Sequence, residues 1–246
     1  MAEFKIQIAG QTALVCSLFE STREYCRPYL SENPPDFNLE ITREDLVFEQ
    51  EQFLEEARTE GFRVRIFPDP FLERSAIQRK FAEHLFGCGT LLFHGSAVAV
   101  DGEGYLFTAR SGTGKSTHTR LWREVFAERA VMINDDKPFL QITQQGVYVC
   151  GSPWSGKHGL DANITVPLKG ICILERGSEN RIRKIQPQEA ISRLRHESYL
   201  PLSPERQDRF LQLVDALAEK VPLWHMQCSK NPEAATVAYS VMSGNF

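Results

Sequence analysis

Apolar and polar residues alternate from Phe4 and then close into an apolar run that ends at Phe19, a pattern that predicts two strands around a turn near Gly10. Glu20 to Leu30 has the spacing of a short helix. Ser31 to Asp36 is loop by composition, and Phe37 to Thr42 alternates again as a strand. Glu44 to Glu60 predicts a charged surface helix with a thin apolar face of Leu46, Phe53, Leu54 and Ala57, closed by Gly61. Arg63 to Phe67 predicts a strand. Ser75 to Phe86 then carries Ile77, Phe81, Leu85 and Phe86 at helical intervals.

Beyond Gly87 the pattern changes. Thr90 to Val100 is a continuous apolar strand interrupted by His94, Gly95 and Ser96, and Asp101-Gly-Glu-Gly104 is a hairpin turn into the short strand Tyr105 to Thr108. From Lys115 the spacing is helical, with Leu121, Trp122, Val125 and Phe126 on one face. Ala130 to Asn134 reads as a buried strand, Phe139 to Thr143 with Val147 to Cys150 as a hairpin, and Leu168 to Glu175 as another buried strand. Arg181 to Ile185 is a shorter strand. Helices follow from Pro187 (Ala190, Ile191 and Leu194 inward) and from Pro204, with Ser203 as its N-cap. A strand over Val221 to Gln227 and a last helix through Met242 complete the chain. The expected class is α/β: a small α+β region over residues 1–87 and a mixed-sheet domain over 88–246.

Composition narrows the partners. The 246 residues are 42% hydrophobic, enough for a full core, and carry a formal net charge of -4, which argues against nucleic acid as the main partner. No apolar run approaches the ~18 residues of a membrane span, and Met-Ala-Glu-Phe-Lys lacks a signal-peptide pattern. The six cysteines form no CxxC pair, so they read as reduced thiols of a cytoplasmic protein without a zinc site. Oligomeric state is left open.

The chemistry concentrates in Ala109-Arg-Ser-Gly-Thr-Gly-Lys-Ser-Thr117, which follows a strand and opens a helix. That order is what a phosphate-binding P-loop (Walker A motif) requires. Backbone N–H groups of Ser111, Gly112, Thr113 and Gly114 can form a nest, and the orphan amides of the new helix add partial positive charge. Lys115 would reach the β and γ phosphates of ATP or GTP. Ser116 offers a hydroxyl to Mg²⁺, which prefers hard oxygen ligands. Arg110 and Thr117 flank the cradle.

Asp135 and Asp136 follow Lys115 by one helix and one strand. A right-handed crossover would set that strand beside the P-loop strand and both carboxylates at the phosphates. One acid can ligate Mg²⁺ and the other can accept a hydroxyl proton. His94 is the histidine of an apolar strand next to this site and can orient Asp135 or share its proton. The loop Ser152 to His158 follows just downstream. In it Trp154 can stack on an acceptor or exclude water and Lys157 can neutralise phosphate, with His158 beside them; the structural alternative is a hairpin exit whose Trp is core.

Phe93-His-Gly-Ser-Ala-Val-Ala-Val-Asp-Gly-Glu-Gly104, Ser111-Gly-Thr-Gly-Lys-Ser116 and Asn134-Asp-Asp136 resemble, in order, the HPr kinase/phosphorylase catalytic domain and, more distantly, the phosphoenolpyruvate carboxykinase nucleotide-binding fold. The resemblance is specific over about residues 90 to 140. It implies Asp135 as catalytic acid/base, His94 as its neighbour, and Ser116 with Asp136 on the metal side. Thr117 stands where that family usually has Glu, and its basic segment for the protein substrate has no counterpart here. The expected function is an ATP-dependent kinase that phosphorylates a hydroxyl on a peptide, protein or small molecule. A non-catalytic nucleotide sensor or a phosphorylase/phosphatase on the same site are the alternatives, separated by product analysis.

Overall fold

A computed structural model describes residues 1–61, 63–110 and 112–244. The chain divides into two compact units, Met1–Leu85 and Phe86–Phe246.

In the first unit, β1 (Ala2–Ile8) and β2 (Gln11–Ser17) form an antiparallel hairpin, and β3 (Phe37–Glu40) pairs parallel to β2. Helix α1 (Glu20–Tyr25) begins where the buried Glu73 carboxylate accepts from the amides of Leu18 and Phe19 and from the Thr22 hydroxyl. Glu73 lies on α3 (Asp69–Gly87), so a side chain remote in sequence pairs the two amides that lead into this helix. Helix α2 (Arg43–Glu60) starts with a Thr42–Asp45 capping box and ends on Gly61 in the left-handed region.

Arg63 to Phe67 is not a strand. The segment is largely exposed, and the Gln50 side chain does what a neighbouring strand would do, donating to the Arg65 carbonyl (3.0 Å) and accepting from the Phe67 amide (2.8 Å). An alternating pattern predicts a strand only where a partner edge exists.

The second unit carries β4 (Thr90–Leu92), β5 (Ser96–Val100), β6 (Glu103–Thr108), β7 (Ala130–Asn134), β8 (Phe139–Ile142), β9 (Val147–Cys150), β10 (Thr165–Arg176), β11 (Arg181–Ile185) and β12 (Leu223–Cys228). They join in one mixed sheet in the order β4-β8-β9-β10-β6-β5-β7, with β12 on β10 and β11 on β12. The apolar run over 90–100 is therefore two strands with different partners: β4 pairs with β8, whereas β5 lies between β6 and β7. Asp101 and Gly102 turn the β5–β6 hairpin with positive φ at both positions (53° and 82°), the requirement of a two-residue type I′ turn.

Alternation along the central strands gives the sheet two apolar faces. Ala97, Ala99, Leu106, Ile133 and Ile171 face α5 (Pro187–Glu197) and α6 (Gln207–Lys220), in one cluster with Leu194 and Val214. Val98, Val100, Tyr105, Phe107, Met132 and Cys172 share the other cluster with Trp122 of α4 (Lys115–Phe126) and Ala238 of α7 (Glu233–Met242). Helices on both faces of a mixed sheet make this unit α/β.

Three local expectations are corrected here. Strand β7 does not lie beside β6, because the tight hairpin already gives that edge of β6 to β5 and the parallel strand β10 fills the other. Val125 is 37% exposed; the buried face of α4 runs instead through His118, Thr119, Leu121 and Trp122. Ser203 makes no side-chain cap: Pro204–Arg206 is a 3-10 turn, and α6 begins at Gln207. All six cysteines are free thiols. Among the described residues no helix is long and apolar enough to cross a membrane.

Candidate functional site

Strand β6 ends at Thr108, and the chain then turns through Gly112 (φ 73°) and Gly114 (φ 121°) into α4, whose first residue is Lys115. Both φ values lie where only glycine is unstrained, so the glycine-rich composition is a geometric requirement of the turn. Ser111 lies outside the described residues. The Thr113 amide donates to the Arg110 carbonyl at 3.1 Å, and Arg176, the last residue of β10, reaches the loop. Its Nε donates to the Thr113 carbonyl (3.2 Å) and its Nη2 to the Gly112 carbonyl. The two carbonyls are thus held by one guanidinium, which fixes how these peptide groups are turned.

Lys115 donates from Nζ to the Ala109 carbonyl at 3.3 Å. Burial lowers its pKa, and the carboxylates of Glu197 and Asp136 act against that shift. Ser116 is exposed on the first turn, Thr117 is half-buried, and Arg110 is exposed at the loop entrance. A cavity of about 620 Å³ opens beside the loop, lined among others by Arg110, Gly112, Thr113, Arg176, Arg193 and His225.

Strands β6 and β7 each run antiparallel to β5, so they are parallel to one another and both end on the same side of the sheet. Asn134 is the last residue of β7 and pairs with Ala97, which sets Ser96 against Asp135 and Gly95 against Asp136. The contacts follow this register. Asp135 is 7% exposed and accepts from Ser96 Oγ at 2.8 Å; Ser96 Oγ in turn meets Thr119 Oγ1 on α4 at 2.8 Å. The Gly95 amide donates to the Asp136 carbonyl at 3.0 Å. The Asp136 carboxylate is 36% exposed and stands 3.4 Å from His94 Nε2.

These contacts correct the expected pairing of His94 with Asp135. His94 sits beside Asp136, while Asp135 is tied through Ser96 toward the first turns of the helix that carries Ser116. The two acids lie on the bend just past β7, and there their carboxylates meet different partners.

Two residues of this cluster carry no local signal in the sequence. Glu197 ends α5 with its side chain 3% exposed, and its carboxylate accepts from His94 Nδ1 (2.8 Å) and Arg193 Nη1 (2.9 Å). Those hydrogen bonds overcome the opposing effect of burial and bring its pKa down to about 2. Arg193 reaches the same carboxylate from one helical turn earlier and also lines the cavity.

The downstream loop divides. Trp154 is buried and packs edge-on against Phe139 with ring centroids 6.3 Å apart, so its place is the core and not an acceptor surface. Lys157 and His158 are exposed on a single 3-10 turn, Gly156–His158. Gly156 (φ 70°) lies directly on Asp136: a Cβ there would stand 3.2 Å from the Asp136 Cβ.

The donors near the loop are a hydroxyl and carboxylates, the hard oxygen set that suits Mg²⁺. Among the described residues no three His, Cys, Asp or Glu side chains converge to hold a metal by themselves. A magnesium ion that takes most of its ligands from phosphate and water does not need such a group.

No family model matches the chain, and no curated protein matches it. Among solved structures it is similar to the HPr(Ser) kinase/phosphatase from Coxiella burnetii, at 11% identity and a TM-score of 0.35, over 62% of this chain and 95% of that one. A likeness of that size bears on neither activity nor substrate.

Proposed function

We propose that the second unit is a phosphotransferase that moves the γ-phosphoryl group of ATP, or GTP, to a hydroxyl on a peptide, protein or small molecule. One observation carries this reading. A glycine-rich loop that opens a helix and an acidic turn lie at the same end of the sheet, with Lys115 in the field of Asp136 and Glu197.

The loop amides from Gly112 onward and the Lys115 ammonium would bind the β and γ phosphates. Ser116 and Asp135 would hold Mg²⁺, which when bound offsets phosphate charge. This exchanges the roles that the resemblance implies for the two acids, because Asp135 is buried and leads to α4 whereas Asp136 is open to an incoming group. Asp136 takes the acceptor's hydroxyl proton as the oxygen bonds to the γ-phosphorus. The bond from that phosphorus to the bridging oxygen breaks, and its electron pair leaves on the nucleoside diphosphate. Lys157 and His158 would flank the acceptor.

The test is incubation of the full chain with γ-labelled ATP, Mg²⁺ and a panel of Ser/Thr peptides, amino acids and small alcohols, read by mass spectrometry. Asp136→Asn should bind nucleotide with unchanged affinity and transfer no phosphate. Normal turnover by that variant, or no nucleotide binding by the wild type, overturns the reading.

A further inference from the structure

A buried carboxylate is costly to keep unless every partner is in place. Glu197 nonetheless keeps an ionised group at the end of α5, and it grips His94 twice. Its backbone carbonyl accepts from the His94 amide (2.7 Å) and its carboxylate from the ring Nδ1 (2.8 Å). The first bond would tether the helix end whatever the side chain. The second acts only on the ring.

An ionised carboxylate is an acceptor only, so Nδ1 must carry a proton in this pair. That sets the Nδ1 proton and the ring orientation, and turns Nε2 to the Asp136 carboxylate 3.4 Å away. Arg193 holds the other side of the Glu197 carboxylate, so this group cannot swing away from the ring without losing a second charged hydrogen bond. His196 Nδ1 approaches the same carboxylate at 3.4 Å from the exposed side.

We propose that Glu197 is a positioning residue of the transfer site: it holds His94 as the Nδ1–H tautomer with Nε2 directed at Asp136. The inference rests on the phosphotransfer reading of this site. In the transfer step the hydroxyl proton passes to Asp136. His94 Nε2 then offers a hydrogen-bond acceptor to the protonated acid, while the Glu197 carboxylate stabilises positive charge drawn onto the ring. This is the division of labour of a carboxylate–histidine pair behind a reacting group.

The experiment uses the full chain as wild type, Glu197→Gln and Glu197→Asp. Two-bond ¹H–¹⁵N NMR, with the ring assigned by its loss in His94→Gln, reads the tautomer; steady-state transfer reads kcat and KM for ATP. Glu197→Gln should mix the His94 tautomers and lower kcat roughly 10–100-fold with KM for ATP within about twofold. Glu197→Asp should recover part of kcat. A tether without a positioning role would lower melting temperature and leave the tautomer of the folded protein unchanged. Wild-type His94 found as the Nε2–H tautomer, or kcat within about twofold of wild type in Glu197→Gln, overturns the proposal. Absence of transfer by the wild type instead defeats the phosphotransfer reading and the positioning role with it.

Discussion

Asn134 and Ser152 are joined twice, the Asn134 Nδ2 donating to the Ser152 carbonyl at 2.7 Å and to its hydroxyl at 3.1 Å. The same amide's Oδ1 accepts from the backbone N–H groups of Asp136 (2.8 Å) and Lys137 (2.6 Å). Ser152 Oγ closes the circuit on the Lys137 carbonyl at 2.6 Å. One fully buried side chain thus shapes the acidic turn and fastens the loop that carries Gly156 against it.

Asn134→Ala should therefore act on both at once. It strips two backbone donors and a loop carbonyl of their partner, and each buried group left unsatisfied costs about 1–3 kcal/mol. A loss of about 2–4 kcal/mol is expected in urea unfolding, together with loss of phosphate transfer. Asn134→Asp keeps the acceptor for both amides but sets a carboxylate oxygen against the Ser152 carbonyl, so it should hold the turn and loosen the loop. Equal behaviour of the two variants would show that the bonds Asn134 Oδ1 accepts from the Asp136 and Lys137 amides contribute nothing.

Gly156 and Gly159 offer a matched pair. Both have φ in the left-handed region, 70° and 58°, so Ala at either costs roughly 1–2 kcal/mol of backbone strain. Only Gly156 has a neighbour within reach, the Asp136 side chain; at Gly159 an added Cβ meets nothing within 4 Å. Gly156→Ala should cut transfer at least about tenfold by moving Asp136, and Gly159→Ala should lower stability equally and leave turnover near wild type. Parallel losses of turnover in both would remove the link between this loop and Asp136.

What the chain announced and what it hid follow one division. The strand–loop–helix around Lys115, the hairpin at Asp101-Gly102 and the alternating faces of β5, β6 and β10 are set by neighbours within a few residues, and their signals are local. The pairing of His94 was not, because it depends on the register Ala97↔Asn134 between segments that approach only in the folded sheet. Glu197 was hidden for the same reason. In sequence it is the last acid of an amphipathic helix, and only the return of α5 to the β4–β5 junction gives it His94 as a partner. Arg63 to Phe67 failed in the opposite sense, a sound strand pattern with no edge to join. Asn134 did carry a hint: an Asn ahead of two residues that leave a strand is the signature of a side chain folding back on its own backbone.

The hold of Arg176 on the loop predicts an effect on binding rather than on chemistry. Its guanidinium reaches two successive carbonyls, of Gly112 and Thr113, which a lysine ammonium cannot match in geometry. Arg176→Lys and Arg176→Ala should both weaken ATP binding by roughly tenfold in calorimetry, about 1.4 kcal/mol, because the loop must then be ordered by the ligand. An unchanged Kd in both would mean that the turn keeps its shape through Gly112 and Gly114 alone.

A last prediction concerns stability and pH. His118 is buried on α4 against Phe107, and its Nε2 accepts from the Trp122 indole at 3.1 Å. Burial pulls its pKa from 6.5 down to about 4. Between those values the unfolded chain binds a proton that the folded protein does not, so unfolding is favoured as pH falls. The contribution of neutral His118 is complete above about pH 6.5 and declines through the window down to pH 4. At pH 5 the loss relative to pH 7 is about 2 kcal/mol. His118→Gln keeps an acceptor for the Trp122 N–H and does not titrate there. Urea unfolding at pH 7 and pH 5 should give a smaller drop in stability for His118→Gln than for the wild type, by about that amount. Equal drops would show that protonation of this ring is not coupled to folding.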